Sequence, residues 1–179
     1  VRFRATSIAG AWTIEDVPHV DERGWFARTF CAEEFSARGI DPRVAQTSLS
    51  YNEHPHTLRG LHLQRHPHGE TKLVRCLRGL IFDVLADLRP DSPTYRACLV
   101  SELSEDRAVS VVAPPGVAHG FMTLSPGCLV SYQMSEPYLP EAACGVRWDD
   151  PELAIPWPFE PSVMSEQDRN LPLLSEMRW

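Results

Sequence analysis

The sequence predicts an all-β protein, an antiparallel jelly-roll barrel with short peripheral helices. Three observations carry that expectation. Stretches rich in Val, Ile, Leu and aromatic residues have strand length, punctuating breakers recur at intervals of about ten residues, and helical periodicity is nearly absent. Taken in order, the early segment Ala32 to Arg38 reads as a short helix stopped by Gly39. Strands are expected at Val44 to Tyr51, Thr71 to Leu77, Leu80 to Leu88, Tyr95 to Leu103, Ala108 to Ala113, Gly120 to Leu124 and Leu129 to Met134. Arg78-Gly79, Arg89 to Pro93, Ser104 to Asp106, Pro114 to Gly116 and Ser125 to Gly127 separate them as turns. Seven or more strands without intervening helices favour antiparallel closure. Beyond Asp150 the character changes: Pro151, Pro156, Pro158 and Pro161 exclude regular strands, and Ser165 to Arg169 is placed to start a short helix lying over the barrel.

One domain over 1–179 is expected, long enough to bury a core without staples. Within it, 1–50 would supply N-terminal strands and an arm, 51–134 the barrel core, and 135–179 a covering segment. A net charge of −7 and a pI near 5.5 argue against nucleic-acid binding, which needs a basic surface to displace counterions. The five cysteines are scattered and form no C-x-x-C pair, so neither a disulfide framework nor a zinc clip is expected, and a reducing cytoplasm fits best. No apolar run approaches the length of about 18 residues that a membrane helix needs, and no secretion signal is read.

Five of the seven histidines fall between His54 and His68, and His119 follows a Pro-Pro-Gly turn. A metal reading rests on His66, His68 and His119, because Pro114-x-Gly116-x-x-His119 matches half of a cupin motif and alternate strand residues share a face. Against it, Glu70 stands too close to His68 for that motif, and Pro67 interrupts the His-x-His pair. His54, His56, His66 and His68 are therefore read as solvated loop residues. The acid–base reading centres on Leu58-Arg-Gly-Leu-His62: a histidine titrates near neutrality and removes a carbon-bound proton when a carboxylate holds its other nitrogen. Spacing alone names neither that carboxylate nor an oxyanion stabiliser.

A set of motifs then appears in fixed order: Asp21-Glu-Arg-Gly-Trp-Phe26, Leu58-Arg-Gly-Leu-His62, Lys72-Leu-Val-Arg75 with Arg78-Gly79, Phe82-Asp-Val84 with Asp87-Leu-Arg89, Ser92-Pro-Thr94, Pro115-Gly-Val-Ala-His-Gly-Phe121, and Gly145 to Pro151 with Ile155-Pro-Trp-Pro158. On these the chain resembles the dTDP-4-dehydrorhamnose 3,5-epimerase family over nearly its whole length. The resemblance implies a cupin-like barrel and an epimerase needing no cofactor or metal, which inverts C3, C5 or both of a 4-keto-6-deoxyhexose carried on a nucleoside diphosphate, most naturally dTDP. It implies His62 as base, Asp168 as its orienting carboxylate, Lys72 as the cation at the ketone oxygen and Tyr132 as the acid that returns a proton to the opposite face. Arg23, Arg59 and His119 match positions along the diphosphate, and Phe26, Gln46 and Tyr138 positions around base and sugar. The Arg23 to Phe26 segment is implied to reach a neighbouring subunit's pocket, hence a homodimer.

Two departures fall on nucleotide-recognition positions. Arg28 stands where the family usually carries a glutamate, and Ser48 replaces the asparagine of a Gln-x-Asn pattern that begins at Gln46. Two other classes compete: a metal-dependent cupin enzyme using His66, His68 and His119, and a sugar-nucleotide binding module without turnover. Retention of His62, Lys72, Tyr132 and Asp168 argues against the latter.

Overall fold

The computed structural model describes residues 1–177. The strands form two facing antiparallel sheets. One takes β1 (Arg2–Ala5), β2 (Trp12–Glu15), β10 (Val109–Ala113), β7 (Lys72–Arg78), β12 (Cys128–Met134) and β5 (Gln46–Asn52), in that spatial order. The other takes β13 (Ala143–Gly145), β6 (Leu58–Gln64), β11 (Val117–Thr123), β8 (Leu80–Asp87) and β9 (Cys98–Ser104). A small hairpin of β3 (His19–Asp21) and β4 (Gly24–Phe26) stands apart from both. This is the jelly-roll architecture, and two short helices, α1 (Ala32–Ser36) and α2 (Glu166–Arg169), lie at its periphery.

Alternation along the strands explains the layers. Val74, Cys76, Val111 and Val130 from the six-stranded sheet meet Ile81, Leu85, Leu103 and Phe121 from the other, all essentially sealed. The remaining faces are covered as well. Leu61, Val84, Ala86 and Ala118 pack outward against Val146, Leu153 and Leu174, with Ile155 and Trp157 of the proline-rich tail at the margin. Ile14 and Val112 pack against Phe35 of α1 and against Ile40, flanked by Phe3 and Phe30. Strands covered on both faces lose their polar alternation, which is why every residue of β11 is buried.

All seven expected strands are present, with shifted ends: β11 begins at Val117 rather than Gly120, and β9 at Cys98 rather than Tyr95. The short strands β1 to β4 fall in the segment expected to supply N-terminal strands but not individually placed there, whereas the seven-residue β6 and the short β13 lie outside the expectation. In β6, glycine, arginine and histidine interrupt the apolar pattern, so that the strand carrying His62 reads as a loop motif. The early helix ends at Ser36, two residues short, and Gly39 follows with φ +71° as the left-handed stop. The expected tail helix is α2, whose N-cap Ser165 accepts the backbone N–H of Asp168 at 3.0 Å. Among the described residues no helix is long and apolar enough to cross a membrane.

Gly60 fixes how closely β6 and β11 approach. A Cβ placed there would lie 2.6 Å from Gly120 Cα and 2.8 Å from the His119 carbonyl, and its φ of +114° disfavours any side chain. The obstacles are backbone atoms, which have no rotamer to yield. Gly60→Ala should therefore destabilise the fold by about 2 kcal/mol or more, read as a lowered urea midpoint; an unchanged midpoint would contradict this packing.

Candidate active site

His62 sits in the middle of β6 and turns inward, opposite His119 of β11 in the ladder. Its Nε2 lies 2.7 Å from Asp168 Oδ1. Asp168 is only 4% exposed, and its second oxygen accepts the Gly60 N–H at 3.2 Å. Burial alone would raise this carboxyl's pKa, but the hydrogen bond and charge of His62, with the Gly60 N–H, outweigh it and hold the group below its ordinary range. The anion is thus kept behind the imidazole, whose own side chain remains 43% exposed to the cavity.

Lys72 opens β7 in the opposite sheet, with its side chain 13% exposed. Its ammonium donates to the His62 carbonyl at 2.9 Å and pairs with Glu70 Oε1 at 2.9 Å. On the adjoining strand, Tyr132 packs against the core, its ring edge-on to His119 with centroids 5.9 Å apart. Burial and the nearby Asp83 charge push the Tyr132 phenol well up, with Arg59 offsetting a part. It therefore keeps its proton across the working pH range. His119 is buried beneath it, 2.7 Å from Asp83 Oδ1.

These groups line one cavity of about 550 Å³, a volume suited to a small polar ligand. Arg59 also reaches it, with Nε held at 2.7 Å by Oδ1 of the buried Asn52. Gln46 and Ser48 line it from β5, and Tyr138, 59% exposed, stands at the rim with its N–H on Gln46 Oε1 at 2.9 Å. The structure thus brings together nine sequence-derived residues: His62, Asp168, Lys72, Tyr132, Arg59, His119, Gln46, Ser48 and Tyr138. Arg23, Phe26 and Arg28 are not among them. Arg23 and Phe26 lie on the exposed hairpin, Arg23 bound to Asp21, and Arg28 pairs with Glu34 at 3.4 Å.

Among the described residues, no three His, Cys, Asp or Glu side chains are grouped to hold a metal ion. His66 is exposed in the loop after β6, whereas His119 is paired with Asp83 inside the barrel. The solvated-loop reading holds for His54 and His66, but His56 and His68 are half-buried, and His56 stacks on Phe159 with centroids 4.1 Å apart. Sequence reasoning missed several residues here. Asp83 carried a usable signal, an acid inside an otherwise apolar strand, which a buried position tolerates only with a partner. Asn52 and Glu70 carried none beyond their neighbours, and Glu70 was weighed only against a metal motif.

Fold and site together define a jelly-roll protein whose cavity gathers an imidazole, a carboxylate, an ammonium and a phenol, the groups of acid–base chemistry. The comparisons narrow the class. Residues 5–176 match the sequence profile of the family described as dTDP-4-dehydrorhamnose 3,5-epimerase. A dTDP-4-dehydrorhamnose 3,5-epimerase of Methanothermobacter thermautotrophicus is 44% identical, over 98% of this chain and 95% of that protein. The crystal structure of the enzyme of that name from Elizabethkingia anophelis superposes with a TM-score of 0.95 at 32% identity, covering 99% of this chain and 98% of that one. The Bacillus anthracis structure, solved with TDP and PPi bound, gives 0.91 at 38% identity over 96% and 98%. The chain belongs to the dTDP-4-dehydrorhamnose 3,5-epimerase family.

Because the Asp168 pKa is depressed on folding, its contribution to stability is fully present above the unfolded value near 3.8 and is lost as pH falls through the lower folded value. Urea titrations of the wild type and Asp168→Asn should therefore show a stability gap at neutral pH that narrows below about pH 4. A gap independent of pH would contradict the assignment.

Proposed function

We propose that this chain inverts C3, C5 or both of a 4-keto-6-deoxyhexose carried on a nucleoside diphosphate, with dTDP as the carrier. The observation that supports it most is that His62 and Tyr132 project from opposite sheets into one cavity, so that a sugar ring held between them has a base on one side and a neutral phenol on the other. A hydrogen on carbon beside a ketone is weakly acidic because its removal leaves an enolate. In this reading His62 takes that hydrogen. With Nε2 turned to Asp168, Nδ1 is the nitrogen left free to act, and the Asp168 anion stabilises the imidazolium that forms.

Negative charge then collects on the ketone oxygen. An ammonium has three N–H groups, and Lys72 uses two of them, on the His62 carbonyl and on Glu70. The third is assigned to the enolate oxygen, where one such donor commonly contributes about 3 kcal/mol to the transition state. Tyr132 supplies a proton from the other side. Inversion requires a second donor, since a single base that takes and returns hydrogen on one face regenerates the starting sugar. Water or solvent-borne protons restore both groups between turnovers.

Arg59 is assigned to the diphosphate, where a guanidinium fork suits phosphate oxygens. His119, buried with Asp83, forms the cavity wall beside Tyr132. Gln46, Ser48 and Tyr138 face the nucleotide side, completed in this reading by Arg23 and Phe26 on the hairpin of a second copy and by Arg28 just beyond it. The hairpin's exposure supports that dimer: Val20, Trp25 and Phe26 are 78%, 66% and 74% exposed, an apolar surface of the kind that marks an interaction site.

Two measurements test these assignments. In deuterated water the wild type should wash deuterium into C3 or C5 of the dTDP-linked 4-keto-6-deoxy sugar, and His62→Ala should lower that rate at least about 100-fold; mass spectrometry finding no label with any carrier nucleotide would exclude the epimerase reading. Analytical ultracentrifugation should find a dimer, converted toward monomer by the double change Trp25→Glu and Phe26→Glu. A monomeric wild type would refute the shared site.

A further inference from the structure

Glu70 lies outside the acid–base set, yet it is held at unusual cost. The residue is 8% exposed, its Oε1 touches Lys72 Nζ at 2.9 Å, and its Oε2 is sealed from solvent with no hydrogen-bond partner in the protein. A buried carboxylate is ordinarily surrounded by several donors, and leaving one of its oxygens unmet opposes stability. The bonding of this one is directed to a single group, the ammonium of Lys72. Its backbone surroundings are equally fixed: the Thr71 N–H donates to Ser135 Oγ at 2.9 Å, and the Ser135 N–H donates to the Thr71 carbonyl at 3.0 Å. The segment leading into β7 is thereby pinned to the chain that follows β12, and Glu70 reaches the cavity from a rigid base.

We infer that Glu70 is a positioning residue for the reaction: with the His62 carbonyl it holds two of the three Lys72 N–H groups, so that the remaining one is directed at the oxygen that becomes the enolate. This rests on the epimerase reading above. A lysine side chain has four rotatable methylene links and no directional preference of its own. Oxyanion stabilisation depends on a donor already aimed where charge develops, and a displacement near 1 Å lowers the rate about 100-fold. The His62 carbonyl alone leaves the ammonium free to swing about that single contact. Two acceptors at equal distance remove this freedom. One of the two belongs to the residue that carries the base, which ties the position of the cation to the position of the imidazole.

The test uses the full chain with Glu70→Met and Glu70→Gln, assayed below the lowest thermal transition of the three proteins so that folding is not the variable. Methionine keeps the length of the side chain and offers Lys72 no comparable acceptor. Glutamine keeps an acceptor oxygen and discards the charge. A donor that acts on the enolate but not on the bound ketone moves kcat and leaves KM in place. The expected result is a kcat about 100-fold lower in Glu70→Met with KM within about threefold of wild type, and recovery in Glu70→Gln to within about tenfold of wild type. Undiminished kcat in Glu70→Met, a loss confined to KM, or equal losses in both variants would each overturn the positioning role while the epimerase reading stands on the wild-type activity. A wild type that exchanges no hydrogen would overturn both.

Discussion

The contact on which the rest depends is the hydrogen bond between His62 and Asp168, two residues 106 positions apart in the chain. It joins the inner strand of the barrel to the tail that closes over it. Asp168 is placed by a single turn of helix capped at Ser165, and its second oxygen is tied to the Gly60 N–H on the very strand that bears His62. The carboxylate therefore grips the strand twice, once through the imidazole and once through the backbone. A buried anion is stable only when such partners replace its water. The same requirement that keeps Asp168 ionised also fixes the orientation of the ring in front of it.

The sandwich supplies the second condition, two chemically different walls. The five-stranded sheet contributes an imidazole backed by an anion, and the six-stranded sheet contributes an ammonium and a phenol. Cation and anion are both anchored: Lys72 is bound to Glu70 and to the His62 carbonyl, and Asp168 to His62 and Gly60. Fixed dipoles of this kind need no reorganisation when charge moves from carbon to oxygen, which is where preorganised sites gain their rate. Tyr132 differs in being neutral and poorly solvated, which suits a group that gives up a proton only when a carbanion is there to take it.

Much of this was legible from residues alone, and the exceptions have physical causes. Strands such as Leu80–Asp87 and Val109–Ala113 were readable because their apolar content is dense and their turns are marked by glycine or proline. The strand Leu58–Gln64 was not, because Gly60 is demanded by a close backbone approach and His62 by chemistry, and both dilute the hydrophobic pattern. The short strand Ala143–Gly145 is held mainly by pairing with β6, so its own three residues carry little signal. His62 and Lys72 lie within the ordered motifs, whereas Tyr132 and Asp168 were reached only through the family resemblance, since no local spacing relates residues so far apart in the chain. Glu70 and Asn52 contact Lys72 and Arg59, and such a contact between side chains leaves no pattern in the sequence that assigns either residue to the site. Arg28 stood out as a reversal of charge, and the structure places it against Glu34, outside the cavity of its own chain.

The central claim is that hydrogen leaves the sugar toward one sheet and arrives from the other. Removing only the phenol separates the two halves of that statement. The nuclear magnetic resonance spectrum of the sugar recovered from Tyr132→Phe in deuterated water should show deuterium at the reactive carbon with the original configuration retained, because His62 still takes and returns hydrogen on its own side. Inverted product formed at the wild-type rate would contradict the account, for it would mean that some other group delivers the second proton.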